Sequence, residues 1–578
     1  MFAAVLATLC VAWGGGDPRQ VLVITNADDP SAAAIADHYA QARTLPPQHV
    51  CALSGLPTDS ATLPFADYDA LVAPAIDACL AGLAEPNDIH ILVTTRGLPY
   101  RVELEAGYMV GFESLLQIHR AVSNIDGSSL AGSPQTDQGG YFAASVYNPS
   151  YVGALASTEG CDFSESSEYA RWYSAACRLL RTGHYPASFD RFHDWDDTAW
   201  NLSGHFFIVT RLDGFDASDA MDLVDRAVAA DSTFPSAPLM CMHGADAARG
   251  ARDPECEMVA RYLSGAGLAA EWIDSFDGGL SGREVAGYLT GASAMTGAID
   301  ENTFVPGAII DNLTSYGAVP QNFLCDASGE QCPENESQTS VARFVRAGAT
   351  GAHGTVAEPL NNCFPNAALY LLYSAGYSLG ESYLFSQRFL YWQNLTLGDP
   401  LATPYASRPI VEDGEAAVSA GGTWTITAHH PDGIAWIGAY LEDRLVAEAS
   451  GATLSVASTS LGIEGDAVDL YIVAEAGSAA RSRPGWPIDP ILPTPGTRGW
   501  RWLRVSVTPP DEVAVDTGTS AETDTAHAET ADHQTNTHTA DDRSRSKTDA
   551  GGCSSAPGPV HTLSWMAALL AVGRRRRC

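Results

Sequence analysis

Short apolar runs recur along the first two-thirds of the chain, with helical patterns between them. Residues 21–25 (VLVIT) form a continuous apolar run, which predicts a strand covered on both faces. Residues 31–43 follow with Ile35 and Tyr39 at helical spacing, and Asp29-Pro30-Ser31 is the start signal. Further apolar runs of this kind lie at residues 89–94, 206–210, 239–242, 308–311 and 350–356. This alternation predicts an α/β fold, a mainly parallel sheet with flanking helices, over residues 17–405.

The pattern changes after this region. Residues 409–509 hold short alternating runs such as Trp424-Thr-Ile-Thr, separated by Gly, Pro and Asp turns, which predicts a small immunoglobulin-like β-sandwich. Residues 510–550 are rich in Thr, Asp, Glu and Ala and carry almost no large apolar groups. A segment of that composition cannot bury a core, so we expect a disordered acidic stalk there.

Both ends of the chain have the character of targeting segments. Residues 1–16 begin with a short apolar stretch that predicts a signal peptide. Residues 551–578 begin with Gly-Gly-Cys, continue through a polar spacer to an apolar stretch at 563–572, and end in four arginines and a cysteine.

This order resembles the myxosortase-type (MYXO-CTERM) sorting tail. The resemblance implies that a sorting protease or transpeptidase acts on the tail, and that Cys553 is the processing and lipid-anchor site. The protein would then be exported and held at the cell surface through a membrane-anchored C-terminus. A simple tail anchor is the alternative, and it implies the same membrane association.

Composition narrows the possible chemistry. The net charge of −37 argues against nucleic acid as a partner, because phosphates would be repelled. The single lysine, Lys547, lies in the stalk, which excludes lysine-dependent sites such as a P-loop or a Schiff base from the folded part. We expect neither a cofactor nor a metal site. In an exported protein several of the twelve cysteines should pair, and Cys325 with Cys332 is the best local pair.

Two predicted strand ends carry similar polar residues. Residues 91–97 run from an apolar strand to Arg96 and a glycine, and residues 207–214 run likewise to Arg211 and Asp213. Ligands bind at the carboxyl ends of parallel strands, so the two guanidinium groups could clamp a carboxylate. The alternative is that Arg211 and Asp213 form a local pair that holds a loop.

Three further positions are candidates for catalysis and one for ligand binding. The glycine-rich segment 348–359 carries His353 and Glu358, which could act as an acid/base pair, and Ser315 follows the preceding predicted strand. A histidine in an apolar strand can equally be structural. Asp399, in the Leu-Gly-Asp-Pro sequence that closes the α/β region, is a candidate for ligand binding.

The motifs of residues 20–405 resemble an uncharacterised exported bacterial family associated with sortase-like sorting systems. A fainter resemblance is to gingipain-type cysteine peptidases, which implies a caspase-like fold, a histidine after one strand and a cysteine after the next. By order these positions fall at residues 289–293 and 312–315, which contain neither a histidine nor a cysteine. We therefore expect a non-catalytic surface protein on a peptidase-like scaffold, with a possible peptide or glycan ligand. The alternative is a hydrolase that uses non-standard residues.

Overall fold

The computed structural model describes twelve stretches of the chain. They are residues 16–56, 61–104, 107–122, 146–148, 206–276, 281–295, 299–324, 338–359, 361–412, 417–461, 467–476 and 496–508. Residues 1–15 of the predicted signal peptide, the stalk, the tail with Cys553, and the Cys325–Cys332 pair lie outside these ranges. All the described residues belong to one compact unit.

The first element pair follows the sequence pattern closely. Strand β1 (Val21–Asn26) is buried along its whole length, and helix α1 (Pro30–Arg43) begins where the Asp29 carboxylate accepts a hydrogen bond from the Ser31 amide at 2.8 Å. The helix ends at Thr44, whose φ of 57° is left-handed. The other elements of the α/β region, in chain order, are β2 (Val50–Leu53), β3 (Thr62–Pro64), α2 (Phe65–Asp67), α3 (Ala73–Ala81), β4 (Ile91–Thr95), β5 (Arg101–Glu103), β6 (Met109–Gly111), α4 (Phe112–Gln117), α5 (His119–Val122), β7 (Val146–Tyr147), β8 (Ile208–Leu212), α6 (Ala217–Ala230), β9 (Leu239–Met242), α7 (Asp253–Gly265), β10 (Ala270–Ile273), β11 (Glu284–Thr290), β12 (Thr303–Asn312), α8 (Val341–Arg346), β13 (Gly351–Thr355), α9 (Ala368–Ser374), α10 (Leu379–Ser386), β14 (Phe389–Leu390) and β15 (Asn394–Gly398).

Ten of these strands form one sheet in the order β10-β9-β11-β12-β13-β15-β8-β4-β1-β2. Eight of the nine described pairings are parallel, and only β13 and β15 run antiparallel. The prediction of an α/β sheet with flanking helices is confirmed. It did not include the reversal at β13 and β15, which divides the sheet into two parallel blocks that point in opposite directions.

A disulfide joins the edge strand β2 to helix α3. Cys51 and Cys79 are bonded with their Cα atoms 5.8 Å apart. A crosslink of this kind restricts the unfolded chain and holds the helix against the edge of the sheet.

The C-terminal region of this unit is built from two sheets around a shared apolar core. Its strands are β16 (Ile410–Val411), β17 (Ala417–Ser419), β18 (Thr423–His429), β19 (Ile434–Leu441), β20 (Arg444–Ser450), β21 (Thr453–Ala457), β22 (Ala467–Ala476) and β23 (Arg498–Thr508). Five strands pair in the order β17-β23-β22-β19-β20, and three in the order β16-β18-β21. Ile426, Ile437, Ile472 and Val505 are among the side chains buried between them.

The outer face of the five-stranded sheet packs against the α/β region. Trp500 and Trp502 donate their indole N–H groups to the carbonyls of Arg43 and Thr44, at 3.2 and 3.0 Å. The turn between β19 and β20 inserts Asp443, whose carboxylate accepts hydrogen bonds from His49 at 2.5 Å and Gln48 at 2.9 Å. These polar contacts therefore fix this sheet against the end of α1 and the loop before β2.

Candidate functional site

The carboxyl ends of β11 and β12 are closed by a buried arginine. Thr290 pairs with Asn312 in the parallel register, so the two strands end side by side. The Arg252 guanidinium donates from Nη2 to the carbonyls of Thr290 and Asp311, at 2.6 and 2.7 Å. It also donates from Nη1 to the Asp311 carboxylate and to the Pro365 carbonyl. Arg252 thus occupies the edge of the sheet where the gingipain resemblance implies the two catalytic residues.

His353 is held in the same buried network. Its Nδ1 lies 2.7 Å from Asp311 Oδ1, and its Nε2 lies 3.1 Å from Asn394 Oδ1. The ring is only 1% exposed and packs against Phe364 and Tyr383. Both ring nitrogens are hydrogen-bonded away from solvent, so this histidine is placed as a structural link between β12, β13 and β15.

Ser315 and Glu358 do come together, but without His353. The Ser315 hydroxyl donates to Glu358 Oε1 at 2.7 Å in an exposed position just beyond the ends of β12 and β13. The Ser315 amide donates to the side chain of Gln338, and its carbonyl accepts from the Thr355 hydroxyl at 2.5 Å. A hydroxyl and a carboxylate are therefore in contact at the surface, whereas the imidazole faces the core.

Arg96, Arg211 and Asp213 form a second cluster. Arg211 is fully buried and donates to Asp213 and Glu113 at 2.8 and 2.9 Å, and also to the carbonyls of residues 98 and 99. Arg96 donates to the other oxygen of Asp213 at 2.8 Å. Burial alone would raise the pKa of Asp213, but the charges of Arg211 and Arg96 hold that pKa below its usual range.

This arrangement agrees with the loop-holding alternative. Each nitrogen of the Arg211 side chain already donates to a protein oxygen, so its N–H groups are engaged in positioning the chain that follows β4.

The two clusters lie at opposite edges of the sheet. Leu397 of β15 is level with Arg211 of the parallel strand β8 and with Ala352 of the antiparallel strand β13. The segment after β8 therefore leaves the sheet beside the start of β13, whereas Glu358 follows the end of β13. The reversal at β13 and β15 separates the arginines from Glu358, although both follow the carboxyl ends of strands.

Asp399 lies in a third, wholly buried group at the end of β15. Its carboxylate accepts from the Tyr39 hydroxyl at 2.9 Å, from Arg43 Nε at 2.5 Å and from the Leu401 amide at 2.9 Å. The Asp231 carboxylate accepts a hydrogen bond from Nη1 of the same Arg43 guanidinium. Asp399 is 0% exposed, so its contacts join helix α1 to the end of the α/β region.

Sequence reasoning did not identify Arg252 or Asp311 as part of this edge. Asp311 is a charged residue at the end of the apolar run 308–311, and such a residue needs a buried partner. That signal was available in the sequence. Arg252 gave none, because it precedes a helix in a polar loop.

Comparisons with known proteins give structural likenesses only. No family model matches the chain, and neither does any curated protein. The Arg-specific cysteine proteinase gingipain R (RGPB) is 11% identical, with 85% of this chain and 98% of that chain covered at a TM-score of 0.39. A complex of Porphyromonas gingivalis RgpB pro- and mature domains is 11% identical, with 84% of this chain and 100% of that chain covered at a TM-score of 0.37. A structure described as a protease is 10% identical, with 85% of this chain and 98% of that chain covered at a TM-score of 0.40. Overlap this loose transfers no residue role to this chain.

Proposed function

We propose that this chain is an exported envelope protein, anchored through its C-terminal tail, whose α/β region serves binding rather than catalysis. The ligand would be a peptide or a glycan presented outside the cell. The β region, with five- and three-stranded sheets on one core, is proposed to be an immunoglobulin-like spacer between this body and the stalk.

One observation supports the non-catalytic assignment above the others. A cysteine or serine nucleophile needs a base within hydrogen-bond reach. His353 is the histidine nearest in sequence to Ser315 among the candidates, and Asp311 and Asn394 hold its two ring nitrogens. The Arg252 guanidinium fills the adjoining strand ends with four donated hydrogen bonds.

Anchoring rests on the sequence of residues 551–578. Among the described residues, none of the helices has the length and apolar character needed to cross a bilayer. The proposed anchor lies outside them, in the Gly-Gly-Cys, apolar and Arg-cluster order of the tail. A sorting protease or transpeptidase that recognises this order would be the partner at that end.

The catalytic question is tested with the purified full chain and a fluorogenic peptide library that includes Arg- and Lys-directed substrates. We expect no turnover above a heat-inactivated sample, and no thiol-specific labelling by an active-site probe. Turnover that disappears in a single Cys→Ala variant would refute the non-catalytic proposal.

The Ser315–Glu358 contact favours a hydrolase as the second candidate function. A carboxylate can take a proton from a hydroxyl when the two are hydrogen-bonded. Under this alternative, ester or peptide turnover falls in Ser315→Ala and persists in Ser293→Ala, a nearby half-buried serine. Equal turnover in both variants would remove the hydrolase from consideration.

A further inference from the structure

A cavity of about 320 Å³ lies at the seam between the α/β region and the five-stranded sheet. One wall is formed by Trp436 and Tyr440 of β19 with Glu448 of β20, and the other by Arg19 and Asp88. Binding sites of this size commonly lie between domains, with aromatic walls and a few polar groups at fixed positions. This cavity is separate from the strand ends considered above, and its use does not depend on how the tail is anchored.

Trp436 is held in place from two directions. Its indole N–H donates to Glu448 Oε2 at 2.9 Å, across the strand pair β19 and β20. The ring also covers Gly438, where an added Cβ would lie 2.4 Å from the indole carbon Cη2. Any larger residue at position 438 would displace the ring, so the glycine and the glutamate together fix the indole at the cavity wall.

The cations around the cavity already have partners. Arg19 contacts the carboxylates of Asp88 and Asp443 at 3.3 and 3.4 Å and stacks on the Tyr440 ring at 3.3 Å. Arg498 donates to Asp17 at 2.7 Å and to Glu475 at 3.1 Å. An anionic ligand would have to compete with these carboxylates, and it would also meet the negative charges of Asp88 and Glu448.

The carboxylates, in contrast, keep capacity to accept hydrogen bonds. The Asp88 side chain is 49% exposed, and among the residues that the structure describes Arg19 donates to it. Glu448 is exposed and uses Oε2 for Trp436. A half-buried indole beside such acceptors suits a ligand with an apolar face and several hydroxyl donors, because the face can stack while the hydroxyls donate.

We propose that this cavity binds a neutral oligosaccharide. One sugar ring stacks on Trp436, and its hydroxyl groups donate to Glu448 and Asp88. A cationic peptide is the competing ligand class: Asp88, Glu448 and Glu475 would attract it, whereas Arg19 and Arg498 in the same small space would repel it. A neutral sugar meets no such repulsion and uses both the indole face and the carboxylate acceptors.

The test is isothermal titration of the full chain with three classes of probe. They are neutral oligomers of glucan and of N-acetylglucosamine, a uronic-acid oligomer, and an Arg-rich peptide. We expect binding of at least one neutral oligomer. Trp436→Ala should weaken that binding at least about tenfold, since the stacking surface is lost. Trp272→Ala, at a half-buried tryptophan on edge strand β10 outside the cavity, should leave it unchanged.

Glu448→Gln is a second variant. It lies at an exposed position, so we expect the substitution to leave folding unchanged. It keeps the side-chain shape and should weaken binding by about three- to tenfold, because one charged acceptor becomes neutral. The proposal is overturned if no neutral oligomer binds, if only the uronic-acid oligomer or the peptide binds, or if folded Trp436→Ala and Glu448→Gln bind as the native chain does.

Discussion

Replacing Asp443 with asparagine should separate the β region from the α/β region at lower denaturant than in the native chain. The Asp443 side chain is 4% exposed, accepts hydrogen bonds from Gln48 and His49, and forms an ion pair with Arg19. Its φ of 66° is left-handed, and asparagine adopts that conformation about as readily as aspartate. The substitution therefore changes charge and hydrogen bonding while leaving the turn intact.

The size of the effect follows from what the substitution leaves unpaired. With its oxygen in place of Oδ2, the new amide still accepts from His49 and Gln48, but its NH2 group faces the Arg19 guanidinium. Arg19 keeps the charges of Asp17 and of the half-exposed Asp88. Removing one member of a buried ion pair costs about 3–5 kcal/mol, and a hydrogen bond to a charged group contributes about 1.5–3 kcal/mol. Because Asp88 compensates part of the loss, we expect about 3 kcal/mol of destabilisation.

Urea unfolding followed by tryptophan fluorescence measures this change, since Trp500 and Trp502 donate across the same interface. With a urea dependence of about 3 kcal/mol per molar, the midpoint should fall by about 1 M. Glu442→Gln is the matched control, because it lies in the same turn with a φ of 48° but is exposed. A shift for Asp443→Asn within about 0.5 kcal/mol of that control would refute the reasoning.

The effect should also depend on pH. Burial alone would raise the pKa of Asp443, but hydrogen bonds from His49 and Gln48 and the charge of Arg19 hold it below its usual value of about 3.9. A carboxyl group with a lowered folded-state pKa stabilises the fold above its unfolded-state value and loses that contribution as pH falls through the folded one. The difference between the native chain and Asp443→Asn should be complete at pH 7 and shrink below about pH 4.

Two further substitutions test other parts of the molecule. Arg211→Lys should destabilise the chain by about 3 kcal/mol in urea unfolding, because a lysine cannot bind Asp213, Glu113 and the carbonyls of residues 98 and 99 together. The control is Arg261→Lys, at a side chain that is 71% exposed, and it should change stability by less than about 0.5 kcal/mol. Cys553→Ala should move the protein from the membrane fraction to the medium, as measured by immunoblotting of both fractions. The control Cys578→Ala should leave the protein in the membrane fraction. Unchanged retention and processing of Cys553→Ala would contradict the sorting proposal.

Local elements were predictable because each is specified by its own residues. The periodicity at 31–43 and the run at 21–25 match α1 and β1 to within one residue at each end. Met221, Val224 and Val228 lie at helical spacing and predict a helix over residues 219–230, which extends from Ala217 to Ala230. The long apolar and aromatic stretch 366–392 predicts packed helices, but it contains α9, α10 and then strand β14. Periodicity does not distinguish a short buried strand from a helix end.

The direction of each strand could not be predicted from its apolar pattern, and this direction decides at which edge of the sheet each candidate residue lies. The carboxyl ends of parallel strands share one edge of a sheet, so in a wholly parallel sheet Arg96, Arg211 and Glu358 would lie near the same edge. The antiparallel pairing of Thr355 with Asn394 and of Gly351 with Gly398 reverses that expectation. A strand direction depends on the whole connection between strands, and the apolar pattern of each strand is the same in both directions.

The contact between the two regions, in contrast, is indicated by the sequence of one strand. Strand β19 reads Ile-Ala-Trp-Ile-Gly-Ala-Tyr-Leu, with Ile437 and Ala439 facing the shared core and Trp436 and Tyr440 on the other face. A sandwich sheet that meets water on its outer side alternates apolar with polar residues, whereas this strand is apolar on both faces. Such a strand requires a partner surface, and the α/β region supplies it near Tyr440 but leaves Trp436 half-exposed. The aromatic pattern therefore indicates where the two regions meet, and the incompletely covered end of that contact is where the cavity lies.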